Sequence, residues 1–247
     1  MIDPIVFIFG ACIGSFLNVC IYRIPQSQSI VRPGSVCPSC RKSIPWYENI
    51  PLLSYFFLRG KCSNCKATIS ISYPLMELIT GLVGLLLYRE FGLSFQFFYY
   101  FVFLSALITV SFIDLRHRII PDIISLPGMV LGVAGSFFIP SLGPEASFSG
   151  LLLGGGILFL VAWGYYFVTK REGMGGGDIK LLALIGAFLG WQAIPSVLFL
   201  SALGGAVIGG GFMLFRGSDR YTQIPFGPFL SVGAALYLFC PWIQGLV

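Results

Sequence analysis

Three aspartates stand where hydrolytic chemistry could be built. Asp114 and Asp122 bracket the segment Asp114-Leu115-Arg116-His117-Arg118-Ile119-Ile120-Pro121-Asp122, and Asp178 closes the run Gly173-Met174-Gly175-Gly176-Gly177-Asp178. Membrane-length apolar sequence lies on both sides of these segments. Ionisable groups at membrane depth are expensive and mark function by default. Two carboxylates brought together cannot both ionise readily and share a proton. One then activates water as a base while the other protonates the carbonyl oxygen or the leaving amine. This is peptide hydrolysis without a covalent intermediate. His117 is the one histidine of the chain and sits among arginines, so a serine or cysteine nucleophile lacks an evident base. Residue types alone leave open which aspartate partners Asp178. Asp122, after Pro121, reads equally as a helix cap, and Asp114 or Asp122 as partners of Arg116 and Arg118. Gly175, Gly176 and Gly177 would let extended substrate backbone run close beside Asp178.

A second constellation is made of thiols. Four of the seven cysteines form two pairs, Cys37-Pro-Ser-Cys40 and Cys62-Ser-Asn-Cys65, separated by 21 residues. Two such knuckles read as a tetrahedral zinc site. Four thiolates leave no open coordination position, so the zinc is expected to staple the loop and not to react. The surrounding segment is rich in proline and glycine and too poor in apolar residues to fold unaided, and metal binding supplies folding free energy in such cases. Cys12, Cys20 and Cys240 lie in apolar stretches and read as packing residues. Glu77, one turn into an apolar stretch after Tyr73-Pro74, is either a site residue or an acid that reaches the interface.

The elements that must carry these groups follow from composition. Apolar residues make up 56% of the 247 and charged residues 10%, against about 25% charged in soluble domains. The fold expected is an all-α polytopic membrane protein with about eight transmembrane helices and a cytoplasmic zinc-stapled loop. Spans of roughly 20 residues are read near 4–22, 73–88, 95–113, 121–139, 148–169, 179–191, 195–215 and 225–244. The first lacks a basic leader, and its positive charge, Arg23, follows it; this favours an anchored helix with its N-terminus outside. Of the fifteen lysines and arginines, fourteen then fall on one side and only Arg89 on the other. The positive-inside rule places the fourteen in the cytoplasm, with Asp114 and Asp178 at cytoplasmic span ends. The net charge of +5 is therefore mostly topological. It suits anionic membrane lipid and gives no reason to invoke nucleic acid. Three regions result: 1–22 as a first transmembrane helix, 23–72 as a cytoplasmic four-cysteine loop, and 73–247 as a seven-helix region carrying the acids. The glycine clusters Gly154–Gly156, Gly204–Gly205 and Gly209–Gly211 read as close-packing helix faces.

The motifs together resemble one family. Gly14-Ser15-Phe16-Leu17-Asn18-Val19 with Tyr22-Arg23-Ile24-Pro25 is similar to the opening signature of bacterial type IV prepilin peptidases. The cysteine pairs, Arg59-Gly60-Lys61-Cys62, Tyr73-Pro74-Leu75 and Glu77-Leu78 resemble that family's cytoplasmic insert. Asp114 with Ile120-Pro121-Asp122, and Gly173 through Leu181, resemble its two catalytic blocks. The resemblance runs from residue 10 to about 230. It implies an inner-membrane aspartyl protease of the Gly-x-Gly-Asp type, and it implies that Asp114, not Asp122, pairs with Asp178. The implied substrates are prepilins or pseudopilins, cut on the cytoplasmic side. Members with the cysteine insert also methylate the new N-terminal amine with S-adenosylmethionine, which links residues 23–72 to transfer. Glu77 and the first loop are the places to seek that donor. Three other classes compete: a related intramembrane aspartyl protease with other substrates, a proton-coupled transporter, and a zinc-stapled assembly scaffold without catalysis. The transporter would favour acids near the midplane and repeat-related broken helices, whereas these acids sit at span ends.

Overall fold

The computed structural model describes residues 2–170, 174–216 and 225–244. Gly173, part of the glycine run, lies outside them. Among the described residues ten α-helices follow in order: α1 Asp3–Arg23, α2 Leu53–Phe57, α3 Ser72–Phe91, α4 Phe95–His117, α5 Asp122–Ser136, α6 Pro144–Thr169, α7 Gly176–Leu189, α8 Ala193–Arg216, α9 Gly227–Phe239 and α10 Pro241–Gln244. Among the described residues there are no strands, only the isolated bridges Val36–Ser43 and Lys61–Thr68. The chain is an all-helical membrane protein. Asp3–Gln26, Phe95–His117 and Pro144–Thr169 are long and apolar enough to cross a bilayer, and Asp122–Ser136, Ala193–Ile208 and Gly227–Phe239 are shorter apolar helices.

Each of the eight apolar stretches read from the sequence falls on a helix, but several ends differ. Helix α7 starts at Gly176, so Gly176 and Gly177 form its first turn and are not a free loop. It stops after fourteen residues because Gly190 takes φ +83°, a conformation that glycine adopts at little cost. Helix α9 ends at Phe239, two residues before Pro241, since a proline disfavours helical geometry in the residue preceding it.

Two compact units divide the chain, Met1–Ser105 and Ala106–Val247, with the boundary inside α4. In the first, α1 and α3 run antiparallel. Arg89 Nη2 pairs with Asp3 Oδ2 at 3.1 Å at one end, and Asn18 Nδ2 donates to the Tyr73 carbonyl at 3.1 Å at the other. The helices touch through glycine. A Cβ on Gly10 would lie 2.7 Å from the Thr80 carbonyl oxygen, and one on Gly14 2.8 Å from the Glu77 Cα. Close backbone approach of this kind drives helix association where lipid removes the hydrophobic term.

In the second unit α7 is the core. Leu181 through Leu189 are all buried, and α5, α6, α8 and α9 pack against it. Gly132 of α5 abuts Ala187 and Phe188, and Gly154 of α6 abuts Leu182. The Ser147 hydroxyl donates to the Ala187 carbonyl at 2.5 Å. Of the glycine clusters read as packing faces, Gly154, Gly155 and Gly204 meet neighbours, while a Cβ on Gly156 or Gly211 would meet nothing within 4 Å.

Candidate active site and metal centre

Asp114 sits in the last turn of α4 and is 5% exposed. Its Oδ2 accepts the backbone N–H of Gly227, the first residue of α9, at 3.0 Å. Arg118, one turn further on, adds a positive field. Asp178 lies in the first turn of α7 and is half-buried. It is near enough to Asp114 for the charge of one to act on the other. The second unit therefore brings together two carboxylates 64 residues apart in sequence (178 − 114). Behind Asp178, a Cβ on Gly177 would stand 3.0 Å from the Ile120 Cβ, so the glycine turn rests on the segment joining α4 to α5.

Asp122 has another partner. Its Oδ1 takes the Lys180 ammonium at 2.6 Å, with 56% and 40% of the two side chains exposed. The residue makes no N-cap bond and does not pair with Arg116 or Arg118: Pro121 takes the cap position, and Asp122 is the first helical residue of α5. The ion pair ties α5 to α7 on an exposed edge.

The thiols also converge. The Sγ atoms of Cys37, Cys40, Cys62 and Cys65 all lie within 4.8 Å of one another, and Cys37 Sγ stands 3.8 Å from Cys65 Sγ. Zn–S bonds of about 2.3 Å in a tetrahedron require S···S edges of about 3.8 Å, so the set fits a four-thiolate ion. The two knuckles share one backbone design. The N–H of Arg41 returns to the Cys37 carbonyl and that of Lys66 to the Cys62 carbonyl, at 2.8 and 3.1 Å. Arg41 and Lys66 take φ +57° and +59°. The Lys42 backbone amide draws the Cys40 thiol down to about 6, toward the thiolate that a metal requires. The backbone amides of Cys65 and Asn64 lower Cys62 likewise.

Glu77 is 8% exposed on α3. Its Oε2 accepts the Leu52 N–H at 2.8 Å, and it is hydrogen-bonded to Ser15 of α1. It thus ties the loop to both helices of the first unit. A cavity of about 280 Å³ lies beside it, lined by Ser15, Phe16, Val19, Ser35 and Asn49 among others. Arg23, part of the Tyr22-Arg23-Ile24-Pro25 segment, has a role that neither its charge nor that segment reveals. It is 8% exposed and donates to the carbonyls of Ser29, Pro33 and Gly34 at 3.0, 2.8 and 2.9 Å. A charged guanidinium in such a place is tolerated because three of its five N–H donors meet carbonyls.

Residues 8–91 match the family model described as bacterial peptidase A24 N-terminal domain, and residues 101–210 match that of the type IV leader peptidase family. The chain belongs to the type IV leader peptidase family. Proteins named prepilin leader peptidase/N-methyltransferase are similar along most of it. That of Myxococcus xanthus is 45% identical over 210 positions, 82% of this chain and 61% of the relative. That of Pseudomonas aeruginosa is 36% identical over 254 positions, covering 94% of this chain and 88% of the relative. That of Stutzerimonas stutzeri is 39% identical over 252 positions, covering 91% and 86%. No solved structure matches. The first family match lies in the unit holding the thiols, and the second includes both Asp114 and Asp178.

Proposed function

We propose that this chain cleaves the leader peptide from type IV prepilins or pseudopilins with Asp114 and Asp178, and then methylates the amine that cleavage exposes. The observation that carries the reading is the meeting of these two acids in a member of a leader peptidase family. Asp114 and Asp178 share one proton. The ionised carboxylate takes a proton from water as the water attacks the scissile carbonyl, while the protonated one gives its proton to the carbonyl oxygen; on collapse of the gem-diol the proton taken from water passes to the leaving amine and a hydroxyl proton returns to the second carboxylate. The substrate's apolar helix lies in the bilayer with its basic leader in the cytoplasm. Eight spans with both termini outside put the acids on that face of the cytoplasmic membrane, supported by the charge asymmetry of the loops. Gly175, Gly176 and Gly177 line the path of the extended backbone.

S-adenosylmethionine, when bound, supplies the electrophilic methyl group. Ser15, Ser35 and Asn49 offer hydroxyl and amide partners and Phe16 and Val19 an apolar wall, which suits a donor with polar and apolar parts. Glu77 fixes Ser15 and Leu52 around that cavity. Zinc on Cys37, Cys40, Cys62 and Cys65 holds the loop in shape and takes no part in transfer.

Prepilin processing in membranes tests the reading. Wild type should remove the leader, and Asp114→Asn and Asp178→Asn should each reduce turnover to background. Undiminished cleavage by either variant would exclude the dyad. Labelled S-adenosylmethionine, supplied with pre-cleaved pilin, should label the mature amine even with both aspartates replaced.

A further inference from the structure

We infer that Gly227, at the start of α9, is the positioning residue of the cleavage site, and that its backbone N–H sets the orientation of the Asp114 carboxylate. The inference rests on Asp114 being one of the two catalytic carboxylates. The first amides of a helix lack intrahelical acceptors and must find partners elsewhere. In α9 the accounting is short. Phe229 and Leu230 both donate to the Phe226 carbonyl, at 3.1 and 3.2 Å. Pro228 has no N–H. The Gly227 N–H remains, and it goes to Asp114 Oδ2 at 3.0 Å.

Sterics make the position specific for glycine. A Cβ there would lie 2.7 Å from Asp114 Oδ2 and 3.3 Å from its Cγ, so any other residue requires the carboxylate to shift. The helix is itself held in register with α4, because the Ser231 hydroxyl lies 3.4 Å from the Leu107 carbonyl and 2.9 Å from that of Gly227. The amide is thus a fixed donor, not a mobile one. With Oδ2 occupied by an N–H, Oδ1 is the oxygen of Asp114 that exchanges protons with water and Asp178. Such preorganised backbone donors cost no reorganisation at the moment of reaction.

The test compares two alanines in one helix. A Cβ on Gly233 would press on the Val197 carbonyl and the Ser201 hydroxyl, each at 3.0 Å, which crowds α8 against α9 without touching Asp114. Gly227→Ala should lower kcat for prepilin cleavage about 10- to 100-fold, the range expected when a catalytic group moves by up to 1 Å, with KM little changed. Gly233→Ala should keep most of the wild-type kcat. Replacing Gly227 by glycolic acid, which exchanges the N–H for an ester oxygen and adds no Cβ, should lower kcat as well. The ester decides the matter if Gly227→Ala does not fold. An ester variant with wild-type kcat, or equal losses in Gly227→Ala and Gly233→Ala, would overturn the assignment. Cleavage surviving in Asp114→Asn would instead remove the dyad on which it rests, and the two failures are distinct.

Discussion

Three consecutive glycines before Asp178 meet three different surroundings, and one methyl group placed on each separates their roles. A Cβ on Gly175 would stand 4.0 Å from Asp178 Oδ2, one on Gly177 would press Ile120 at 3.0 Å, and one on Gly176 would meet nothing within 4 Å. Gly176 is the first residue of α7 and is exposed, with no left-handed φ to forbid alanine. Within the protein, Gly176→Ala should therefore be neutral or should stabilise α7 by up to about 1 kcal/mol from helix propensity. The open space matters only if substrate backbone enters it. An inserted methyl in a packed contact costs about 1–3 kcal/mol, and each 1.36 kcal/mol is tenfold in rate. The kcat/KM for prepilin should then fall by roughly 5- to 150-fold while thermal stability holds or rises. The assay is leader removal in nanodiscs at varied substrate, alongside a thermal melt of the same preparation. A Gly176→Ala enzyme with wild-type kcat/KM would refute close approach at this turn. Gly177→Ala supplies the contrast: its losses should appear in the melt as well as in the rate.

Three other outcomes are expected. Asp122→Asn should leave cleavage within a few-fold of wild type and cost about 0–1 kcal/mol of stability, since the Lys180 pair is exposed and exposed pairs contribute little; cleavage assays and denaturant melts check this. Purified protein should carry one zinc per chain by metal analysis, and Cys37→Ser should lose both the metal and methyl transfer while leader removal continues, because the acids lie in the other unit. Arg23→Lys should free residues 27–34, since an ammonium cannot reproduce the guanidinium fork that spans three carbonyls; hydrogen exchange at those amides should rise, and wild-type protection would dismiss the fork as a brace.

What could be read in the sequence was what depends on single residues or short windows. Hydropathy located the apolar helices, three of them long enough to cross a bilayer, because preference for lipid is a property of each side chain in turn. The cysteine knuckles were legible because their spacing is the ligand geometry, and the four Sγ atoms do gather. The partners were not legible. Nothing local in Asp122 points to Lys180, 58 residues on, so it read as a cap or a neighbour of Arg118. Arg23 reads as a topological charge and as one residue of the Tyr22-Arg23-Ile24-Pro25 signature, and neither reveals that its guanidinium is held by three backbone carbonyls. Helix ends were legible only where a local breaker acts. Proline at 241 ends α9 early, but nothing local marks Gly176 and Gly177 as the first turn of α7, and the neighbour of Gly177, Ile120, lies in a different segment.

The bond from Gly227 to Asp114 closes a loop of 113 residues, and this has a consequence for biogenesis. When Asp114 leaves the ribosome, the amide that will hold it has not been synthesised. At about 5–20 residues per second, some 6 to 23 seconds of translation separate the two, and four further helices must fold in that interval. The carboxylate therefore lacks this donor while α5 to α8 are made. On the proposed mechanism, a nascent chain that has not yet reached the start of α9 lacks the donor that sets Asp114 and carries no working cutting edge beside its own emerging segments.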